Sequence, residues 1–423
     1  MNPSMQTIKD STRKIYIIAW IFGLLFYFLD YVVRSAPAVM IPQLSETFQV
    51  NSISVVSIIG TYYITYSTIS LAAGLALDKF GAKYSLFVGT LILGIGCLLF
   101  IISNHYAGTT GRLLQGAGCA FAFPGCVYLA SKGFSAKSLA TAIGFTQCIG
   151  MLGGSAGQFI VGPWIAGGLA PKVFWIASGL LTVAIAFALL FIIPKASTEI
   201  PETTKEHSPV SLLNPYKIVF SNPQSWLCGI ISGFLFAPTT IFAMTWGVAI
   251  FQQDKAFSFH EATIASAMIP MGWVFGCPLL GYLTDKIGKR KPVLIGGAIV
   301  MILAILQILF LPELCSTYIT NFIFGVASGA AMIPYSVIKE SNPDEVKGSA
   351  TGAINFITFG VTTLLSPIFS KLFGKAVSLD IDKDAHFKST GLFWIIGIIL
   401  AILLSLFLKE TGQGKKGSIP KVV

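Results

Sequence analysis

Twelve stretches of this chain are each long and apolar enough to cross a lipid bilayer, and they leave room for little else. They cover about residues 15–41, 53–76, 84–103, 108–131, 138–162, 173–193, 225–250, 259–283, 292–311, 314–338, 348–373 and 390–408. A helix needs about 20 mostly apolar residues to span the hydrocarbon core. Inside that core the backbone must satisfy its own hydrogen bonds, which excludes open strands and loops. The expected fold is therefore all-α, a membrane protein of twelve transmembrane helices. Only 11% of the residues are charged, against about 25% in a soluble domain. No segment between the runs is long enough for a soluble catalytic domain, so an enzyme is not expected.

The net charge of +10 would fit nucleic-acid binding if the basic residues formed one face. They do not. With the N-terminus placed in the cytoplasm, the inside loops and tails hold 20 of the 28 Lys and Arg, and the outside loops hold 6. The remaining two, Arg34 and Arg112, lie within runs. This asymmetry follows the positive-inside rule and places both termini in the cytoplasm. The last outer loop departs from it with Lys371, Lys375, Lys383 and Lys388, diluted by Asp380, Asp382 and Asp384. The first run is too long for the apolar core of a signal peptide and is expected to remain as a span. The seven cysteines form no Cys-x-x-Cys pair, so neither a metal site nor a disulfide framework is expected.

The chain divides into two six-helix halves, residues 1–194 and 223–423. They are joined by a polar cytoplasmic linker over 195–222 that contains Glu199, Glu202 and Glu206. Gly74-Leu-Ala-Leu-Asp78-Lys79-Phe-Gly81 follows the second run, and Gly281-Tyr-Leu-Thr-Asp285-Lys286-Ile-Gly288 follows the eighth. Weaker echoes keep the same order: Pro124 and Pro334, Gly150 and Gly360, Ala140-Thr141 and Ala350-Thr351. Parallel repeats of this kind build pseudo-symmetric transporters. Glycines four apart, such as Gly150/Gly154, Gly153/Gly157, Gly272/Gly276 and Gly325/Gly329, are expected to let helices approach closely.

At the duplicated loop the sequence resembles the major facilitator superfamily, whose hallmark there is Gly, Asp, Arg or Lys, Gly, and Arg or Lys at fixed offsets. Lys83 and Arg290 complete the two copies. The resemblance covers essentially the whole chain and implies that fold. It also implies a latch at Gly74, Asp78, Lys79 and Gly81, and at Gly281, Asp285, Lys286 and Gly288, that holds one state of the transport cycle. A carboxylate there would also suit a neighbouring helix N-terminus. Arg112-Leu-Leu-Gln115-Gly116-Ala-Gly118 looks like a second superfamily motif, linked to proton coupling or substrate binding. The Gly-Pro pair that marks drug/proton antiporters inside the fifth span is absent, because Gly162-Pro163 falls at its end. Asp30-Tyr31-Val-Val-Arg34-Ser35-Ala-Pro37-Ala-Val-Met40 is similar to the proteobacterial phagosomal nutrient transporter group, which imports amino acids and nucleosides. It departs from that group at Asp30 and Ala36. The anion:cation symporters, importing organic anions, are the competing resemblance.

Charges inside a membrane are costly and usually functional. Asp30, Arg34 and Arg112 are the ones well inside the runs, and Asp30 and Arg34 are four apart on one helix face. Three readings stay open. The pair can hold a zwitterion, with Arg34 on the carboxylate and Asp30 on the ammonium. Asp30 can be the protonation site. The two can also be a self-neutralising ion pair. Tyr62, Tyr66, Gln147, Trp246 and Asn355 are the expected uncharged walls of the site. No P-loop is present, so ATP-driven transport is not expected. The reading is a secondary transporter in a bacterial inner membrane, importing a small polar nutrient such as an amino acid or similar carboxylated metabolite. It is expected to couple to protons, by alternating access. Organic-anion symport and proton-antiport export are the alternatives, with a membrane receptor or sensor outside transport. The expected partners are a small-molecule substrate, protons and the lipid bilayer, with no nucleic acid, cofactor or metal, and the chain is expected to act as a monomer.

Overall fold

The computed structural model of the chain describes residues 3–134, 136–194, 214–310, 314–343, 346–378 and 383–412. Twelve of its helical segments have the length and apolarity of membrane spans: Thr12–Val39, Ser52–Leu77, Lys79–Leu99, His105–Gly133, Thr141–Ala166, Pro171–Ile192, Pro223–Asp254, Phe259–Ile287, Lys291–Leu309, Thr317–Glu340, Lys347–Leu372 and Lys388–Leu406. They are numbered spans 1 to 12. Each falls on one of the apolar runs, with two instructive shifts. Span 3 starts at Lys79, inside the repeated loop, because the chain reverses there with almost no connecting residues. Span 5 reaches Ala166, so Gly162 and Pro163 lie in its final turns rather than beyond it. An even number of spans puts both chain ends on one side, the terminal face. Both repeated loops lie on that face too.

The third anchor of each loop copy is fixed by the backbone. Gly81 has φ 71° and Gly288 has φ 69°. Most side chains are strained in this left-handed region and glycine is not. Gly288 also closes span 8 by donating its N–H to the carbonyl of Thr284.

The four-residue glycine spacings are used for packing. A Cβ on Gly272 would lie 2.2 Å from the carbonyl oxygen of Phe322, and one on Gly325 2.0 Å from that of Ile269. Spans 8 and 10 therefore touch backbone to backbone, as small-residue seams allow.

Three spans change helix type along their length. Span 1 is α-helical up to Ser35 and tightens into a 3-10 turn over Ala36–Val39, around Pro37. Span 7 widens into a π-helix over Pro238–Trp246. Span 10 has a 3-10 turn over Gly329–Met332, just before Pro334. Proline removes a backbone donor and disturbs the turn before it. It does not always break a helix: Pro270 and Pro278 in span 8 and Pro367 in span 11 sit inside continuous helix.

The first six spans meet the last six along two seams. Span 2 packs on span 11, and span 5 packs on span 8. Ser67 donates to the carbonyl of Phe356 at 2.7 Å in the first seam, and Ser155 to that of Ala267 at 3.1 Å in the second. Residues 195–213, most of the expected linker, lie outside the described residues. Its last part forms the helix Asn214–Ser221. Tyr216 on that helix donates its hydroxyl to the carbonyl of Leu71 at 2.9 Å.

Candidate functional site

The break at Pro37 leaves the last α-helical turns of span 1 in the middle of the protein. Asp30 and Arg34 project from them and are wholly buried. An Arg34 Nη2 hydrogen bond reaches Asp30 Oδ1 at 3.1 Å, and a longer one reaches Oδ2 at 3.3 Å. Tyr62 of span 2 completes a triad. Its hydroxyl donates to Asp30 Oδ1 at 2.5 Å and accepts from Arg34 Nη2 at 2.9 Å and Nε at 3.2 Å.

The guanidinium sits in an aromatic box. Its carbon lies 4.1 Å from the ring centre of Tyr31, 4.7 Å from Tyr66, 5.0 Å from Tyr62 and 5.5 Å from Phe359. Such faces stabilise a cation by their quadrupole. Phe359 comes from span 11, so the box draws on both sets of six spans. Nη1 of Arg34 is buried and has no hydrogen-bond partner among the described residues. A buried unsatisfied donor on a charged group is costly, and native structures rarely keep one without a reason.

Arg112 lies in span 4, beside this triad. It is equally buried, but each of its nitrogens already donates. Nη1 reaches the carbonyl of Val33 at 3.0 Å and Gln115 Oε1 at 2.8 Å. Nη2 reaches the carbonyl of Arg34 at 3.0 Å and Nε that of Ile59 at 3.1 Å.

The structure distributes the remaining expected site residues. Tyr62 and Tyr66 are at the triad. Gln147 accepts from the hydroxyl of Tyr27 at 3.1 Å, one step behind Tyr31, whose hydroxyl lies 3.5 Å from that of Tyr27. Asn355 accepts from the Tyr335 hydroxyl at 2.6 Å. Trp246 lines a cavity of about 520 Å³ toward the face opposite the chain ends, with Val39, Gln43, Gln252 and Gln253. Asp30 and Arg34 do not line that cavity. Sequence reasoning passed over Tyr31 and Phe359 as site residues. Phe359 was within reach, since it is four after Asn355 and shares its helix face.

At the terminal face the second loop copy is a charge cluster. Arg290 bridges Asp285 at 2.9 Å and Glu340 at 2.8 Å. Burial works against the Arg290 charge, and the Glu340 and Asp285 carboxylates outweigh it, so its pKa is raised. The backbone N–H groups of Arg290 and Lys291, which open span 9, donate to Glu410 at 2.6 and 3.0 Å. Thr411 donates to Glu340. Lys286 is near the ring of Tyr282, and Lys79 near that of Phe80. The side chain of Asp78 lies outside the described residues.

Three kinds of comparison with known proteins bear on this architecture. Residues 127 to 167 in number align with curated relatives: the chain is 26% identical over 167 residues to the multidrug resistance protein MdtL of Klebsiella pneumoniae, covering 39% of this chain and 38% of that one. It is 29% identical over 127 residues to a D-xylose transporter of Levilactobacillus brevis, covering 29% and 27%. The matches thus span well under half of the relatives' lengths. Among solved structures, the fold superposes on a bacterial homologue of the human lysosomal transporter Spinster, inward-facing and occupied, with TM-score 0.71 and 14% identity over 92% of this chain and 96% of that one. It superposes on the nucleoside transporter NupG with TM-score 0.69 and 14% identity over 92% and 99%. Those two likenesses speak to fold alone. The family model described as the Major Facilitator Superfamily matches residues 23–367, and the chain belongs to that superfamily, an integral membrane protein of twelve spans.

Proposed function

We propose that this chain imports a small polar nutrient bearing a carboxylate, an amino acid or a close relative, together with protons. The observation that carries this reading is the orphaned Nη1 of Arg34. It is a buried cationic donor, next to Asp30 and boxed by aromatic rings from both sets of spans. A planar guanidinium suits a carboxylate, which can take more than one of its N–H groups.

Charge balance then supplies the coupling. The Asp30–Arg34 pair is neutral in the empty site, and the Arg112 charge beside it is held by its own carbonyl and amide acceptors. A substrate carboxylate alone would give the pair one excess negative charge in a low-dielectric interior, which is unfavourable. Protonation of Asp30 removes that excess and weakens its hold on Nη2 of Arg34. One proton and one carboxylate enter together and leave the pair neutral again. Tyr62 touches both residues and is placed to pass on the change. Tyr66, Gln147, Trp246 and Asn355 belong to the walls of the same path, and Arg112 stands behind Arg34, bonded to its carbonyl.

The moving parts are halves 1–194 and 223–423, joined by 195–222 and rocking about this central site. The charge distribution supports a cytoplasmic terminal face. The loops at Gly74–Gly81 and Gly281–Gly288 then act as latches there, with Asp285 held through Arg290. Bacterial relatives support an inner-membrane location, and the chain is read as a monomer. A second reading, proton-antiport export, draws on the relative named as a multidrug resistance protein.

The test is uptake into proteoliposomes under an imposed inward proton gradient, with labelled amino acids, nucleosides and organic acids. The expected result is gradient-driven accumulation of a carboxylated solute, lowered at least about 30-fold by Arg34→Ala. Asp30→Asn should leave binding measurable and remove the response to the gradient. Accumulation that is unchanged in Arg34→Ala, or a carboxylated solute expelled against the gradient, would overturn the proposal.

A further inference from the structure

Pro37 leaves a debt in the backbone of span 1. In an α-helix the carbonyl of Val33 accepts the N–H of the residue four positions on. That residue is Pro37, which has no N–H. The carbonyl of Arg34 lies in the same break, where the helix gives way to the 3-10 turn Ala36–Val39. Both carbonyls are deep in the protein, and a buried carbonyl without a donor is unfavourable.

Arg112 supplies the donors. Its Nη1 is 3.0 Å from the carbonyl oxygen of Val33 and its Nη2 is 3.0 Å from that of Arg34. Its Nε anchors the same guanidinium to span 2 through the carbonyl of Ile59. Gln115 accepts from Nη1 and donates in turn to the carbonyl of Gly96 in span 3 at 3.2 Å. The guanidinium carbon lies 4.7 Å from the ring centre of Tyr62. Arg112 makes no ion pair among the described residues. Its positive charge is solvated by carbonyl dipoles, an amide and an aromatic face, and none of its nitrogens is idle. This is the reverse of Arg34, which has a carboxylate partner and an idle nitrogen.

We propose that Arg112 is a positioning residue and not a substrate contact: it replaces the N–H that Pro37 lacks and so fixes the backbone that carries Arg34. The proposal rests on the reading of Arg34 as the substrate contact. A helix broken at Pro37 would otherwise fray at its last turn, and the Arg34 side chain would move with it. Arg112 ties that turn to spans 2, 3 and 4, while its face steadies the Tyr62 ring that bonds Asp30 and Arg34.

A rescue experiment tests this with full-length protein in detergent and in proteoliposomes. Arg112→Met should lower the thermal midpoint and cut uptake. Pro37→Ala returns an N–H to position 37, which can serve Val33 directly. The double variant Pro37→Ala/Arg112→Met should then recover about half or more of the midpoint lost in Arg112→Met, a coupling expected only of groups that share a partner. Pro270→Ala, which restores an N–H in a different span, should recover none of it. If Arg112→Met does not fold, Arg112→Gln, which keeps one amide donor, is compared in the same two backgrounds. Equal loss with and without Pro37→Ala, or equal recovery by Pro270→Ala, overturns the proposal. The midpoint needs no substrate, so these outcomes remain readable even where no solute in the uptake panel is transported.

Discussion

The two sets of six spans keep their charge in different places. In spans 1 to 6, Asp30, Arg34 and Arg112 are wholly buried at mid-protein. In and beside spans 7 to 12, Asp285, Arg290, Glu340 and Glu410 gather at the terminal face, with the Asp285 side chain 74% exposed. The repeated loop and the span order are common to both, so the duplicated frame does not dictate where charge sits. Dielectric surroundings give the difference its consequence. A buried pair is held together by several kcal/mol that must first offset desolvation. A surface pair contributes about 0–1 kcal/mol. Deep charge is therefore expected to govern transport and folding together, and surface charge to tune one conformation.

Breaking the deep pair should give the largest effect. Asp30→Ala leaves Arg34 buried without a carboxylate and is expected to destabilise the protein by about 3–5 kcal/mol. Arg290→Met at the terminal face should cost about 1 kcal/mol. Adding Arg34→Met to Asp30→Ala should recover part of the first loss, since two apolar side chains tolerate burial better than one unpaired charge. Chemical-denaturation midpoints in a fixed detergent check all of these. A costlier Arg290→Met would invert the comparison.

The repeated loop offers a finer contrast, because its first glycine has a different neighbour in each copy. A Cβ on Gly281 would meet nothing within 4 Å, whereas one on Gly74 would lie 3.1 Å from the Tyr216 hydroxyl. Both glycines are within helices. Gly281→Ala should therefore gain about 0.5–1 kcal/mol from helix propensity. Gly74→Ala should forfeit that gain by displacing Tyr216 from the carbonyl of Leu71, a bond contributing about 1 kcal/mol. Tyr216→Phe removes the hydroxyl, so in that background Gly74→Ala should behave like Gly281→Ala. Thermal midpoints of the four variants decide it; identical shifts for the two alanines would show that the linker tyrosine does not distinguish the copies.

Length and apolarity made the twelve spans legible in the sequence, and so did the two loop copies, because a bilayer fixes how long an apolar helix must be. The Asp30–Arg34 pair was legible too, since it needs only helix spacing. What the sequence did not carry are contacts set by tertiary approach. Nothing in a linear reading brings Arg112 to the carbonyl of Val33, although Pro37 announces that a donor is missing there. Tyr31 and Phe359 carry no site signal of their own in the sequence, and only the fold brings their rings to Arg34. Pro238 marks an interruption in span 7, but that it takes the form of a π-helix over Pro238–Trp246 depends on where neighbours take its carbonyls, as Gln158 and Ser266 both do at Ala243. Glu410 lies beyond the last span and gave no sign that it folds back to open span 9.

Glu410 supplies the smallest expected effect and the one that best isolates the second loop. Partial burial works to raise its pKa, but the N–H groups of Arg290, Lys291 and Gly412 outweigh it, and the pKa is lowered. A carboxylate with a lower pKa folded than unfolded stabilises the fold above the ordinary carboxylate range. That contribution is lost as pH falls through the range toward the depressed folded value. The group is largely exposed, so the effect should be a small drop in thermal midpoint. Glu410→Gln should lie below the parent at neutral pH and converge with it in acid, where both carry an uncharged side chain. Its effect should also be confined to the second loop: Asp285→Asn and Glu410→Gln, which share Arg290 as a partner, should couple, whereas Gly74→Ala and Glu410→Gln should add, because independent sites do. Coupling of Glu410 to the first loop instead would mean that the terminal face moves as one unit, and the two loops could no longer be treated as separate latches.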